Sequence, residues 1–156
     1  MTSVTPVIAQ EHPGAPEARA LIAELDAHLD PLYPSASRHG FSVDKLITDS
    51  VVFFVIRVDG MAAGCGGIKL FGADYGEIKR MYVRPQFRGR GLARLLLEHL
   101  AAYARNKHVA ILRLETGIHQ HAAIGLYERM GFERIRPFGE YRDDPVSRCY
   151  EKRLES

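Results

Sequence analysis

The sequence predicts a single α/β domain, because segments with the alternation of strands are interleaved with segments of helical periodicity. A chain of 156 residues is long enough to bury one hydrophobic core, and its 46% apolar residues can supply that core. The clearest strand is VVFFVIRV at residues 51–58, which ends at Asp59-Gly60, a pair typical of tight hairpin turns. The clearest helix follows Gly89, where leucines recur at helical spacing. We therefore treat residues 1–156 as one α/β domain.

The N-terminal half is predicted to begin with a short strand at residues 4–9 and an amphipathic helix at residues 15–30. That helix carries an apolar stripe formed by Leu21, Ile22, Leu25 and Leu29. A second, short helix is predicted at residues 43–48. Residues 61–71 should then pair back onto strand 51–58 as an antiparallel strand, which completes a hairpin.

The C-terminal half continues with alternating strands and helices, separated by glycine and proline. Its elements are predicted as a strand at 76–83, a helix at 89–107, a strand at 109–116, a helix at 122–130 and two strands at 132–135 and 148–154. The longest helix should face the core with one apolar stripe, formed by Leu92, Leu95, Leu96, His99, Leu100 and Tyr103.

Charge and cysteine content argue against several classes of protein. The formal net charge of +2 is too small for the basic surface of a nucleic-acid-binding domain. Cys65 and Cys149 form no CxxC or Cys/His pattern, so neither a zinc site nor a disulfide framework is indicated. No apolar run approaches the roughly 18 residues of a membrane span, and the first residues lack the pattern of a signal peptide. We expect a cytoplasmic protein that uses no metal, nucleic acid or membrane.

The segment RPQFRGRGLA, residues 84–93, places two glycines between arginines directly before the longest predicted helix. The first turn of a helix has unpaired amides and the positive end of the helix dipole, so it attracts anions. Gly89 and Gly91 have no Cβ to keep oxygens away from these amides, and Arg88 and Arg90 add positive charge. The segment lacks the Gly-Lys-Ser/Thr of a P-loop and the third glycine of a Rossmann fingerprint. It predicts a pyrophosphate site, and the alternative is a glycine-rich turn with a purely structural role.

Two motifs in this half resemble those of one enzyme family. MYVRPQFRGRGLARLLL, residues 81–97, resembles the acetyl-CoA-binding motif of GNAT-type N-acetyltransferases, whose pattern Gln/Arg-x-x-Gly-x-Gly/Ala is met by Gln86, Gly89 and Gly91. AAIGLYERMGF, residues 122–132, resembles the Leu-Tyr-x-x-x-Gly-Phe ending of that family's last core helix. The two motifs stand in the family's order and on the predicted elements.

The resemblance implies a mixed, strongly twisted and mostly antiparallel sheet flanked by helices, in which the strands ending near Val83 and Thr116 splay apart. The pantetheine arm of acetyl-CoA would lie in that gap and bind the backbone of Met81 and Val83. The pyrophosphate would bind the amides of residues 88–93. The residues thus expected to bind the coenzyme are Met81, Tyr82, Val83, Gln86, Arg88, Gly89, Arg90, Gly91, Leu92, Ala93 and Gln120.

The resemblance also implies a catalytic acid. Tyr127 stands where this family places the group that protonates the departing thiolate; the alternative is a core tyrosine whose hydroxyl reaches the surface. The family often has an asparagine seven residues before this tyrosine, where the present chain has Gln120. A glutamine amide can make similar hydrogen bonds from a longer arm.

A base is needed because only a neutral amine attacks a thioester, and a lysine-like amine has a pKa of about 10.4. Glu77 is the leading candidate, since strand alternation would place residues 77, 79, 81 and 83 on one face and some family members have a glutamate base at a similar position. Glu115, on the strand that forms the other lip of the gap, is the rival base. Either glutamate could instead pair with a neighbouring basic residue.

Acceptor recognition is expected from two polar loops that contain aromatic residues, at 32–41 and 137–147. A small pocket could be framed by Tyr33, His39 and Tyr141. A cationic amine could be attracted by Glu140, Asp143 and Asp144, which could instead form a solvated acidic turn before Pro145. His119 and His121 are expected to be surface groups, because they have no acidic companion that would suggest a metal site. Cys65 is expected to be a small core residue.

The predicted function is transfer of an acetyl group from acetyl-CoA to a primary amine of a small molecule or peptide, by direct attack on the thioester. The alternative is a non-catalytic acyl-CoA-binding sensor or interaction module. Such a module would need the glycine-rich turn but neither Tyr127 nor a base. Because dimers are common in the family and among soluble proteins, the resemblance also implies a possible homodimer.

Overall fold

A seven-stranded sheet with helices on both faces forms the centre of the protein in the computed structural model, which describes residues 5–34 and 42–155. The strands are β1 (Val7–Gln10), β2 (Val52–Val58), β3 (Met61–Phe71), β4 (Tyr75–Val83), β5 (Ile111–Gly117), β6 (Glu133–Ile135) and β7 (Ser147–Arg153). The α-helices are α1 (Pro16–Leu29), α2 (Val43–Thr48), α3 (Leu92–Asn106) and α4 (His121–Arg129), and a 3₁₀ turn spans Pro85–Phe87.

The strands are ordered β1-β2-β3-β4-β5-β7-β6, and every neighbouring pair is antiparallel except β4 and β5. This confirms the predicted mixed, mostly antiparallel sheet. The predicted hairpin is also present, with Val58 opposite Met61. Asp59 and Gly60 both have positive φ, of 53° and 76°, as the tight turns that suit the twist of a hairpin require.

The predicted helices and strands all occur within the described residues, with ends shifted by a few residues. The predicted first strand begins at Val4, which lies outside the described residues, and β1 begins at Val7. The predicted start of the longest helix at Gly89 is wrong, because α3 begins at Leu92. Gly89 and Gly91 have φ of +80° and +75°, which no α-helical residue adopts, so they form the approach to the helix and not its first turn.

The helices bury their apolar residues on opposite faces of the sheet. On one face, α1 and α2 pack Leu21, Ile22, Leu25 and Leu46 against the sheet. On the other face, α3 buries Leu92, Leu96, Leu97, Leu100 and Ala104. Leu95 of the predicted stripe is instead 39% exposed, because the buried face of α3 turns toward Leu97. Among the described helices, none combines the length and apolarity of a membrane span.

Strands β4 and β5 pair at only two positions, Gly76 with Leu112 and Glu77 with Arg113. Beyond these pairs the two strands separate, while β5 stays paired with β7 along its other edge. This is the splayed arrangement that the resemblance implied. It leaves residues 78–83 of β4 without a strand partner on the β5 side.

A β-bulge in β4 changes which side chains share a face. The register with β3 shifts between Cys65 and Gly67, and Arg80 in the shifted part of β4 has φ of 57°. The Arg80 side chain therefore reaches α1, whereas Met81 packs on the α3 side of the sheet. The prediction that residues 77, 79, 81 and 83 share one face is wrong, because a bulge interrupts the alternation of a strand.

The buried face of α3 leads to a prediction about stability. Leu100→Ala should lower the free energy of unfolding by about 2–5 kcal/mol, because Leu100 is fully buried and its loss leaves a cavity. Leu95→Ala, on the same helix, should change it by about 0.5 kcal/mol or less. Urea denaturation of both variants measures the difference, and equal losses would contradict the observed orientation of α3.

Candidate active site

Two cavities lie where β4 and β5 separate. The larger, of about 520 Å³, runs from the end of β4 past the start of α3 to α4. The smaller, of about 130 Å³, lies between β4, β5, α1 and the loop of residues 136–146. The cavities meet along a common set of lining residues: Leu25, Met81, Gln120, Ala123 and Tyr127. A ligand that extends from one cavity into the other would pass Tyr127.

The entrance of α3 presents unpaired amides to the larger cavity. Within the described residues, the amides of residues 89–94 have no hydrogen-bond acceptor, and the first paired amide is that of Leu95, which donates to the Gly91 carbonyl over 3.2 Å. A Cβ added at Gly89 or Gly91 would meet no protein atom within 4 Å. The turn therefore combines positive φ with open space above free N–H groups, which is the arrangement that an anion needs.

Most of the residues predicted to bind a coenzyme line the larger cavity: Met81, Tyr82, Val83, Arg88, Gly89, Gly91, Leu92, Ala93 and Gln120. Gln86 and Arg90 do not line it. The Arg90 guanidinium lies 5.5 Å from the ring centre of Phe87, in a cation–π contact. The carbonyl of Val83 accepts a hydrogen bond from Arg88 Nε over 3.1 Å, so a ligand would compete with Arg88 for this atom.

Sequence analysis missed five basic or titratable residues of the larger cavity: His28, Arg94, His119, His121 and Arg129. His119 and His121 are exposed, as predicted, but they also line this cavity. No local sequence pattern predicts that these five residues share a cavity, because they lie on three separate helices and one loop. Together with Arg88 they give the cavity a basic rim suited to a phosphorylated ligand.

Tyr127 is 6% exposed on α4, with its ring 5.7 Å from that of Phe132 and 6.5 Å from that of Tyr150. Among the described residues, its hydroxyl has no hydrogen-bond partner. Burial, aided by the charge of Glu115, raises the pKa of Tyr127 to about 12. The hydroxyl therefore keeps its proton at neutral pH and is available to donate it where the cavities meet.

Glu77 is 3% exposed and belongs to a buried network with Lys79 and Tyr141. Its Oε2 lies 2.8 Å from Lys79 Nζ and accepts a hydrogen bond from the Tyr141 hydroxyl, which in turn accepts from Lys79 Nζ over 2.8 Å. Burial lowers the pKa of Lys79, against the opposing effect of Glu77, and raises the pKa of Tyr141. Lys79 and Tyr141 line the smaller cavity, whereas Glu77 does not. Glu77 can therefore interact with a ligand in this cavity only by way of these two side chains.

Glu115 is the carboxylate that lines the smaller cavity directly. It lies on β5, and its Oε2 accepts a hydrogen bond from Ser147 Oγ over 2.5 Å. Its negative charge contributes to raising the pKa of Tyr127. Of the two predicted bases, Glu115 has the more direct access to a ligand in this cavity.

The predicted acceptor pocket is present in part, since Tyr33 and Tyr141 both line the smaller cavity. The Tyr33 hydroxyl donates to Gln120 Oε1 over 3.1 Å and accepts from the His119 amide over 3.0 Å. These bonds hold the segment that follows α1 against the start of α4. His39 lies outside the described residues.

The predicted role of the acidic loop residues is not found. The residues that line the smaller cavity do not include Glu140, Asp143 or Asp144. Glu140 and Asp143 are exposed, and Asp144 Oδ1 accepts a hydrogen bond from the Val146 amide over 3.0 Å. The loop directs Tyr141 toward the cavity, with Phe138 packed against the Tyr141 ring, and leaves its carboxylates outside.

Neither cysteine is a candidate nucleophile. Cys65 and Cys149 are both buried, and burial raises the pKa of the two thiols to about 12 and about 11. Cys65 Sγ donates to the Arg80 carbonyl inside the core, in keeping with the predicted structural role. Among the described residues, no cluster of three His, Cys, Asp or Glu side chains is arranged to hold a metal ion.

Comparison with known proteins identifies the family. The profile of the Acetyltransferase (GNAT) family matches residues 19–132. The chain belongs to this family. A relative named IAA acetyltransferase, from Azospirillum brasilense, is 41% identical over 155 residues, which cover 99% of the present chain and 100% of the relative.

Solved structures agree with this assignment. A Klebsiella pneumoniae protein named as an acyl-CoA N-acyltransferase has a TM-score of 0.82 and 42% identity, covering 96% of this chain and 98% of that one. N-acetylglutamate synthase from Neisseria gonorrhoeae, solved with coenzyme A and N-acetyl-glutamate, has a TM-score of 0.78 and 25% identity, covering 99% of this chain but 36% of the synthase. GNAT membership is consistent with acyl transfer from an acyl-CoA cosubstrate.

The glycine turn leads to a prediction about coenzyme binding. Gly91→Val should abolish binding of acetyl-CoA, because a branched side chain would occupy the open space above the α3 amides. Gly72→Val is the matched control, since Gly72 also has positive φ (58°) and open space but lies in the β3–β4 turn. Saturation at about 100 times the dissociation constant should stabilise the parent protein and the control by roughly 2.7 kcal/mol.

Calorimetry and thermal melting measure both effects. A folded Gly91→Val variant with the parent's affinity for acetyl-CoA would contradict the assignment of the anion site to this turn.

Proposed function

We propose that this protein transfers an acetyl group from acetyl-CoA to a primary amine, which attacks the thioester directly. The observation that carries the proposal is the position of Tyr127, a protonated tyrosine that lines both a cavity suited to a phosphorylated ligand and a small cavity lined by a carboxylate. A thioester at this junction would have an acid on its sulfur side and a base on its amine side. A module that only binds the coenzyme needs neither group.

The larger cavity is proposed to hold the coenzyme. Its pyrophosphate would accept hydrogen bonds from the amides of residues 89–94, with Arg88 and Arg94 beside it. The pantetheine arm would run along the unpaired edge of β4 toward Tyr127, since its amide groups can pair with backbone that has no strand partner. The coenzyme A found in the synthase from Neisseria gonorrhoeae supports a coenzyme site in this fold.

The chemistry requires two proton movements. The amine nitrogen attacks the thioester carbon, the C–S bond then breaks, and the proton lost by nitrogen balances the one gained by sulfur. Tyr127 would donate to the departing sulfur. A positioned acid or base typically contributes about 10²–10⁴ in rate.

Two carboxylates are proposed as the base. Glu115 lines the smaller cavity and can take the proton directly or through one water. Glu77 lies beneath Lys79 and Tyr141, so its path runs through the Tyr141 hydroxyl. The shorter path favours Glu115, and the pH dependence of turnover in Glu115→Gln and Glu77→Gln separates the two.

The role of Tyr127 predicts a large loss of turnover in Tyr127→Phe. The variant keeps the ring and its packing on Phe132 and Tyr150 but has no proton to donate, so turnover should fall by about 10²–10³ while acetyl-CoA affinity stays nearly unchanged. Release of coenzyme A, followed with a thiol reagent across a panel of amines, measures turnover. A Tyr127→Phe variant as fast as the parent would remove the acid role, and acetyl-CoA binding without release from any amine would favour the non-catalytic module.

The identity of the base predicts a pH-dependent loss. Replacing the base by glutamine should lower turnover most at low pH, and the defect should shrink as pH rises, because more of the amine is then already neutral. Glu115→Gln and Glu77→Gln are compared over the same pH range with one accepted amine. The residue whose variant recovers at high pH is the base, and a pH-independent defect indicates a structural role.

A further inference from the structure

The smaller cavity has walls of opposite charge. Lys79 and Arg80 line it from β4, and each is 7% exposed. Glu115 lines it from β5, on the opposite side of the splay. Buried charges interact strongly with a ligand because little solvent screens them. A ligand of this cavity therefore faces positive charge on one side and negative charge on the other. A simple amine would be attracted only by Glu115.

Arg80 is bonded incompletely for a buried guanidinium. Within the described residues it donates only through Nη2, to Asp26 Oδ1 over 2.5 Å and to the Ile22 carbonyl over 3.4 Å. Its Nε–H is buried and has no acceptor. Buried donors in native proteins are nearly always paired, and a guanidinium offers five donors in a geometry that matches a carboxylate.

Solvent exposure weakens one of the two ion pairs on this wall, and burial opposes the charge in the other. The Asp26 side chain is 41% exposed, so solvent screens its attraction for Arg80. Lys79 is paired with Glu77 over 2.8 Å, yet burial lowers the pKa of Lys79 in spite of this partner. A negative group in the cavity would stabilise both cations.

We propose that the acceptor carries a carboxylate beside its primary amine, as a small amino acid does. The carboxylate binds at the Lys79 and Arg80 wall, and the amine lies toward Glu115 and Tyr127. A cavity of about 130 Å³ has room between the walls for these two groups and a few carbon atoms. This inference rests on the proposed function, because it names the class of amine for the same site.

The test compares acceptors that differ only in the carboxylate. Small α- and β-amino acids are assayed beside their amides and their decarboxylated amines, and kcat/KM is measured from coenzyme A release. At least one amino acid should exceed both of its analogues by tenfold or more. The amine of an amino acid amide is less basic than that of the amino acid, so more of it is neutral at a given pH. Reactivity alone would therefore favour the amide over the amino acid. Equal or higher kcat/KM for the analogues of every accepted amino acid overturns the inference and leaves the proposed function intact.

Calorimetry with the same compounds and acetyl-CoA-loaded protein gives a readout that does not depend on turnover. Tighter binding of an amino acid than of its amide and its decarboxylated amine supports the inference, whether or not any amine is acetylated. Absence of acetylation with every amine would overturn the proposed function and not this inference. Equal binding of the three compounds, in the absence of turnover, overturns both.

A pair of variants tests the residue. Arg80→Gln should raise KM for the amino acid tenfold or more and change KM for the decarboxylated amine little, so that discrimination disappears. Arg84→Gln is the matched control, because Arg84 also leaves β4 toward α1, pairs with Glu24 over 2.7 Å and lines neither cavity. The control should keep the parent's discrimination.

Acetyl-CoA affinity, which depends on the other cavity, confirms that each variant is folded. If Arg80→Gln does not fold, Lys79→Gln takes its place with the same expectation. Unchanged discrimination in a folded Arg80→Gln or Lys79→Gln variant overturns the assignment of the carboxylate to this wall.

Discussion

The separation of β4 from β5 is the constraint on which the site depends. The strands share only two residue pairs, and β5 satisfies its other edge through β7, so residues 78–83 of β4 cannot recover a strand partner. Unpaired backbone groups that are removed from water are costly unless something bonds them. The open edge is tolerated because it lines cavities, and the same separation gives both cavities their common boundary at Tyr127.

The bulge at Arg80 gives this gap its chemical character. With regular alternation, successive side chains of β4 would point to opposite faces, and Arg80 would lie opposite to Lys79. The bulge instead turns Arg80 to α1, on the side where Lys79 meets Glu77, and sends Met81 to α3. Two buried cations on one wall require nearby carboxylates, because an isolated buried charge is strongly destabilising. Glu77 pairs with Lys79 and Asp26 pairs with Arg80, so each cation has a carboxylate on its own side of the sheet.

The features that the sequence predicted correctly are those set by local sterics. Asp59-Gly60 predicted the hairpin, and the glycines before α3 predicted an open approach to its unpaired amides, since positive φ and a missing Cβ act within a few residues. The anion site itself stays a prediction. The bulge at Arg80 depends on pairing with β3, and no residue near Arg80 signals it. The inward position of Tyr141, with Glu140 outside, depends on contacts with Phe138 and Glu77 from distant parts of the chain. Such features follow from tertiary packing and escape pattern analysis.

The environment of Tyr127 defines what kind of acid it can be. A thiol leaving an acyl-CoA resembles a free cysteine thiol, with a pKa of about 8.5, whereas burial raises the pKa of Tyr127 to about 12. Complete proton transfer from this phenol to a thiolate is therefore uphill, and Tyr127 would act mainly by donating a hydrogen bond to sulfur as the C–S bond breaks. The thiolate would then take its proton from the base that received the amine's proton, or from water. The apolar rings of Phe132 and Tyr150 beside Tyr127 suit this role, because a polar partner would draw its hydrogen bond away from the sulfur.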